Sequence, residues 1–286
     1  MDQTIDWWPS PAKLNLFLHI NGRYPNGYHQ LQSLFQLLDK GDELAFNVTP
    51  HADITLLTPI DGVANEDNLI VKAARLLQAH TGCPQGCDIQ IRKVLPMGGG
   101  IGGGSSNAAT TLIALNYLWK CNLSLTKLAE LGLALGADVP VLVMGNTAFA
   151  QGVGEQLTPV SIVQKHYLVV FPECHVSTAE IFNAPDLPRN TPLISWQEYD
   201  FDQTHNDCQQ LVCNRFENVA NTLRWLLEYA PSRMTGTGAC LFAVFTGNQE
   251  AENVLANLPS GCSGFVAKGV DVSPVHDKLA HLGSIS

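Results

Sequence analysis

Six glycines occupy the seven positions from Gly98 to Gly104, inside the stretch PMGGGIGGGSSNAATTLIALNYLW that runs from Pro96 to Trp119. Glycine loses more conformational freedom on folding than any other residue, so a run this dense needs a steric or functional reason. Its flanks narrow that reason. CDIQIRKVL, residues 87–95, alternates like a strand, and an apolar-striped helix opens at Ser105-Ser106-Asn107, with Leu112, Leu115 and Trp119 as the stripe that packs it down. Strand, glycine loop and helix in that order read as a phosphate cradle. Backbone N–H groups without Cβ atoms in the way can approach an anion, and the helix adds its positive end and unpaired donors. A flexible linker would not be followed at once by a capped amphipathic helix.

Other phosphate loops fit poorly. A Walker A loop ends in Gly-Lys-Ser/Thr, whereas Gly104 is followed by Ser105, Ser106 and Asn107 with no lysine. Gly98, Gly100 and Gly103 match the dinucleotide spacing. That fold also wants an acidic residue closing the next strand about twenty residues on, and CNLSLTKL stands there instead. The His-Arg-Asp and Asp-Phe-Gly signatures of protein kinases are absent.

With 286 residues, 45% of them hydrophobic and 15% charged, the chain has material for two domains, and we set the boundary in the 155–165 region, giving 1–159 and 160–286. A net charge of −10 argues against a nucleic-acid or anionic-membrane surface. There is no basic and then apolar leader and no run near the roughly 18 apolar residues of a membrane span, so a cytoplasmic location is expected. The eight cysteines are then expected as reduced thiols, with Cys121 and Cys240 as small core residues. Cys83 and Cys87 lack a second pair or histidines at ligand spacing nearby, so no metal ligand is assigned.

Strands and helices alternate along the chain. AKLNLFLHI (12–20) points Leu14, Leu16, Leu18 and Ile20 to a core face and Lys13, Asn15, Phe17 and His19 to the other. A turn follows at Pro25-Asn26-Gly27. A helix is expected over 67–80 behind an Asp cap, and another behind Ser124 that ends at Gly136 and delivers the chain to Asp138, at a helix-to-strand junction with apolar flanks. After Pro159 come a strand at 167–172, a polar, Pro-rich loop at 183–206, a helix over 208–229, the strand GACLFAVF, a helix near 249–257 and the strand GFVAKGV. The pattern is α+β.

PMGGGIGGGSSNAA resembles the central ATP-binding signature of the GHMP small-molecule kinases, which include galactokinase, homoserine kinase and mevalonate kinase; PSPAKLNLFLHI and MTGTGACLF resemble their first and third motifs. NGYHQLQSLFQLLD, EDNLIVKAARLL, GADVPV, LPRNTP and LLEYAPSRMTGTGA extend the likeness along the whole chain to the branch acting on 4-diphosphocytidyl-2-C-methyl-D-erythritol, in non-mevalonate isoprenoid precursor synthesis. The resemblance implies an N-terminal domain like the second domain of ribosomal protein S5, a ferredoxin-like C-terminal domain, and ATP used as its magnesium complex. It implies transfer of the γ-phosphoryl group to the substrate's 2-hydroxyl, with Lys13 and Asp138 as the catalytic pair. Lys93, Pro96, Met97, Gly98, Gly99, Gly100, Ile101, Gly102, Gly103, Gly104, Ser105, Ser106 and Asn107 would then hold the nucleotide. Tyr28, His29 and Phe182 would enclose the cytosine, Asn15 would touch the substrate near the reacting hydroxyl, and Gly236, Thr237 and Gly238 would line the same cleft. A homodimer is left open.

Read alone, Asp138 suits a cap or turn, Lys13 a solvated edge charge, Tyr28 a turn-flanking aromatic and Phe182 a core residue. Ile101 replaces the usual leucine, Val94 fills a site often basic, and the 183–206 loop aligns least closely, leaving the diphosphate contacts open. Another GHMP kinase, of homoserine or mevalonate type, would lack the Tyr28-His29 site. A nucleotide-binding regulator without turnover would have no use for the Lys13–Asp138 pair.

Overall fold

Two long strands carry the fold. β1 (Trp7–Arg23) and β2 (His29–Thr49) pair antiparallel on either side of the turn at Pro25-Asn26-Gly27. The computed structural model describes residues 5–283. The first half continues through β3 (Ile54–Leu56), α1 (Leu69–Thr81), β4 (Gly86–Arg92), α2 (Gly103–Leu118), α3 (Leu125–Leu133), α4 (Val139–Met144), β5 (Ala148–Gln151) and β6 (Gln156–Pro159). The second adds β7 (His166–Phe171), α5 (Thr178–Asn183), α6 (Gln209–Arg215), α7 (Glu217–Leu227), β8 (Ser232–Met234), β9 (Leu241–Phe245), α8 (Asn248–Leu255), β10 (Ser263–Val270) and α9 (Pro274–Gly283).

The main sheet path is β3-β4-β2-β10-β7-β9-β8, with β1 and β5 also on β2 and β6 on β5. β10 is the seam. Ser263 to Lys268 pair with β7, and Gly269 and Val270 pair with Leu38 and Leu37 of β2. One apolar core lies between α1–α4 and the β2/β4 face, and another lies under α5–α8 against β7 and β9. A third fills the seam with Leu14, Phe17, Leu34, Tyr167 and Phe242, and takes in Ile101 of the glycine loop and Cys240.

The α+β reading holds, with instructive departures. β1 has no solvated face, because Lys13, Asn15, Phe17 and His19 are as buried as the leucines between them. Irregularities at Pro11/Lys13 and Asn15/Leu18 break its alternation, so Leu14, Leu16 and Phe17 all join the seam while Leu18 and Ile20 join the second core. The cap of α1 is Asn68, whose Oδ1 accepts from Ile70 N at 2.9 Å, and Asp67 closes a short 3₁₀ turn before it. The expected helix at 208–229 is two, divided at Phe216 with φ −126° and ψ 98°. Asp138 stands between two helices, not between a helix and a strand. Cys240 is fully buried, whereas Cys121 is only half-buried.

Candidate active site

The glycine loop is pinned from both sides. Lys13 N donates to Ile101 O at 3.0 Å, and Cys240 N donates to Gly99 O at 3.0 Å, tying the loop to β1 and to the turn before β9. Gly100 has φ +76°, and a Cβ there would stand 2.7 Å from Thr235 O; bare backbone is required where the loop meets the Thr235–Gly238 turn. Gly98, at φ +69°, lies under His175. α2 opens at Gly103, two residues before the expected start, and its cap Gly102 has no side chain with which to satisfy the first amides. Every α2 residue from Ser106 to Leu115 is buried, so the helix is packed all round, not along one stripe.

Two cavities meet at this loop. One, of about 320 Å³, is lined by Lys93, Pro96, Met97, the glycines 98–100 and 102–104, Ile101, Ser105 and Asn107, with Ile60, Val63 and Leu69 as further apolar lining. The other, of about 260 Å³, is lined by Lys13, Asn15, Asp138, Phe182, Gly236 and Thr237, among others. Gly100 and Ser105 belong to both. Ser106 lines neither: it is fully buried, its hydroxyl hydrogen-bonded at 3.0 Å to Ser10 Oγ, which donates to Asn107 Oδ1 at 2.7 Å. Gly238 backs the glycine loop without lining either cavity.

Lys13 Nζ lies 3.0 Å from Asp138 Oδ2, with side chains 3% and 33% exposed. The ammonium also donates to Asn15 Oδ1 at 2.7 Å and sits 5.2 Å over the Phe35 ring. Asn15 is itself fixed: its Nδ2 donates to Ser33 Oγ at 2.8 Å and its N donates to Thr235 Oγ1 at 2.8 Å. Asp138 precedes α4, yet its carboxylate makes no capping bond there. The carboxylate is instead paired with Lys13 at the cavity wall.

His29 is buried and Tyr28 is 64% exposed. The His29 and Phe182 rings stack at 5.1 Å and 26°. Burial, then the Arg189 and Arg23 charges, hold the His29 imidazole below its usual pKa. Arg189 Nε donates to His29 Nε2 at 3.0 Å.

Sequence reasoning missed two organising residues. Asp42, buried in the β2 segment DKGDEL, accepts from Lys93 Nζ at 2.7 Å and from the backbone N of Val94 and Leu95 at 2.7 and 2.8 Å. Lys93 is therefore tied to the loop entrance, and its Nζ also donates to Leu95 O at 2.6 Å. Thr235 anchors Asn15; its place in MTGTGACLF is the one signal that could have found it. Asp42 carries no local signal, since its partners lie just beyond β4, more than fifty residues along the chain.

Comparison with known proteins adds the context. The GHMP kinases N terminal domain family matches residues 68–146 and the GHMP kinases C terminal family matches residues 198–264. The 4-diphosphocytidyl-2-C-methyl-D-erythritol kinase of Pseudoalteromonas atlantica is 96% identical over 286 residues, 100% of both chains. That of Shewanella loihica is 57% identical over 273 residues, 95% of this chain and 96% of the relative. The crystal structure of a 4-(cytidine 5'-diphospho)-2C-methyl-D-erythritol kinase matches with a TM-score of 0.81 at 28% identity, covering 92% of this chain and 99% of that one. Methanococcus jannaschii mevalonate kinase shares the fold, with a TM-score of 0.65 at 14% identity over 94% of this chain and 100% of that one. The chain belongs to the GHMP kinases and, within them, to the 4-diphosphocytidyl-2-C-methyl-D-erythritol kinases.

Proposed function

We propose that the chain transfers the γ-phosphoryl group of ATP to the 2-hydroxyl of 4-diphosphocytidyl-2-C-methyl-D-erythritol, with Lys13 and Asp138 at the reacting centre. The observation that carries this reading is the 3.0 Å contact between Lys13 Nζ and Asp138 Oδ2, beside the place where the two cavities share Gly100 and Ser105. One cavity would take the donor and the other the acceptor. In the donor cavity the triphosphate lies against the loop and the first amides of α2, whose positive end favours anions. The base lies toward Ile60, Val63 and Leu69.

In the acceptor cavity Asp138 receives the hydroxyl proton. Lys13, held on a second side by Asn15 Oδ1, keeps its ammonium beside the carboxylate and neutralises charge on the transferring group. Phosphoryl transfer passes through a loose transition state, so positioning and electrostatics carry most of the catalysis. The cytidine end extends past Phe182 toward His29 and Tyr28. Magnesium is a hard cation that takes oxygen ligands and is commonly held by one or two carboxylates plus phosphates. The metal would arrive on the nucleotide. The Ser105 hydroxyl and the Asp138 carboxylate are the oxygens that would meet it, and its chemistry there is charge neutralisation on the phosphates.

No helix among the described residues is long and apolar enough to cross a membrane. The two polar small-molecule substrates of the proposed reaction favour a cytoplasmic location. ADP release measured with the diphosphocytidyl compound, with free methylerythritol phosphate and with homoserine tests the reading. Turnover is expected with the first alone. Asp138→Asn is expected to lower kcat by about 10²–10⁴-fold with KM for ATP little changed; a fully active variant removes Asp138 from the mechanism.

A further inference from the structure

We propose that Arg189 sets base specificity: by donating to His29 Nε2 it locks the imidazole as the tautomer protonated on Nδ1, so the site accepts cytosine, with a bare ring nitrogen N3, and rejects uracil, which carries N3–H. The inference deepens the proposed function, resting on His29 as a base contact. Arginine has five N–H donors and no acceptor, so the His29 Nε2 that receives Arg189 Nε–H at 3.0 Å must hold its lone pair. In a neutral imidazole the hydrogen is then on Nδ1. That leaves a fixed donor for a ligand.

The lock is rigid because the guanidinium is tied on its other edges. Nη1 donates to Leu187 O at 2.9 Å, and Nη2 donates to Phe182 O at 3.0 Å and Ala184 O at 2.7 Å. The same residue that orients His29 therefore holds the backbone of Phe182, whose ring stacks on it. A second proton on Nε2 would set donor against donor. The other charge bearing on the ring, Arg23, sits at the β1–β2 turn with its Nε donating to Gly27 O at 2.9 Å, and it too opposes protonation. Arg189 is thus a positioning residue acting through His29. A site built to hydrogen-bond one polar pattern rejects the wrong one strongly, because its buried donor is left unpaired.

Protein labelled with ¹⁵N-histidine, with His29 assigned by loss of its signals in His29→Gln, tests the tautomer directly. Wild type is expected to show protonated-type Nδ1 and bare-type Nε2 at neutral pH; Nε2–H in wild type overturns the proposal. Kinetics with cytidine- and uridine-linked diphospho substrates should give a kcat/KM ratio of about 10² or more in wild type. Arg189→Met should bring it within about tenfold, through KM rather than kcat, and Arg189→Lys should recover part of it. If Arg189→Met fails to fold, Arg189→Gln faces His29 Nε2 with an amide that can donate or accept, so the tautomer is released and the ratio should fall there too. A ratio unchanged in Arg189→Met or in Arg189→Gln, while His29→Ala raises KM for the cytidine substrate, overturns the role of Arg189 alone. A His29→Ala enzyme with unchanged KM overturns the base-site reading and this inference with it.

Discussion

A methyl group at position 102 would stand 2.9 Å from Lys13 Cγ and 3.1 Å from Cε, on a backbone with φ +75°. Gly102 is therefore a wall of the lysine channel as well as the cap of α2. Gly102→Ala adds roughly 1–2 kcal/mol of left-handed strain, and the methyl pushes the lysine stem off the line that brings its ammonium to Asp138. Misplacing a reacting group by about 1 Å can cost on the order of 10²-fold, so kcat should drop by at least tenfold, while thermal denaturation still gives a cooperative melt. The sequence marked these glycines for anion binding. It hid their other purpose, because the lysine that needs the space lies on a separate strand. His19 offers a second residue-scale test. Burial first, then the His205 and Arg233 charges, push its pKa down to about 4, with Asp207 opposing. The unfolded chain takes a proton near 6.5 that the native chain refuses until about 4, so this contribution is complete above 6.5 and is lost as pH falls through 4. Wild type should therefore lose on the order of 3 kcal/mol more than His19→Gln between pH 7 and the acid side of 4, read by urea unfolding at each pH.

Elements bounded by their own caps were legible, and elements bounded by distant packing were not. Ser124 accepts from Lys127 N at 3.2 Å at the start of α3, and Gly82 closes α1 in the left-handed conformation, both as their residue types suggest. CQQLVCNRFENVANTLRWLL contains no proline or glycine at the α6–α7 break. The break is tertiary: α6 buries Leu211 and Val212, α7 buries Val219, Leu223 and Leu226, and Phe216 turns extended between them so that both sets reach one core. Asp42 is the element-scale case at the site. Its carboxylate is the joint of β2 with the start of the glycine loop, accepting two backbone amides and the Lys93 ammonium. Removing one partner of such a buried network leaves the others uncompensated, so Asp42→Ala should destabilise by about 3 kcal/mol and raise KM for ATP more than it lowers kcat. Asp42→Asn keeps an acceptor for the amides and should lose less stability. Equal losses in the two variants would remove the amide contacts from the explanation.

At the scale of the molecule, two domains at 1–159 and 160–286 remain our proposal, with the chain passing between them in the segment after β6. The packing ties them closely. Leu14 and Phe17 of β1 share the seam core with Tyr167 and Phe242, and Arg233 of β8 donates to Leu16 O across it. The C-terminal α9 returns to the first half: Val275 lies in the first core, and Lys278 pairs with Asp6 and sits 5.2 Å over the Trp8 ring. Thr147 N donates to Asp271 O and Ser273 N to Gly145 O beside it. The cleft needs this joint, because Lys13 and Asn15 come from β1 whereas Thr235, Gly236 and Thr237 come from the turn after β8. Interfaces between loosely joined domains let each unfold alone, but a seam with its own buried core and a strand hydrogen-bonded to both sides couples them. Within each single-tryptophan variant, one keeping only Trp119 in the first half and one only Trp225 in the second, the fluorescence transition in urea should therefore superimpose on that variant's own far-ultraviolet circular dichroism curve. Separate midpoints would mean that the halves open independently, and the seam would then be a contact between two folding units instead of part of one.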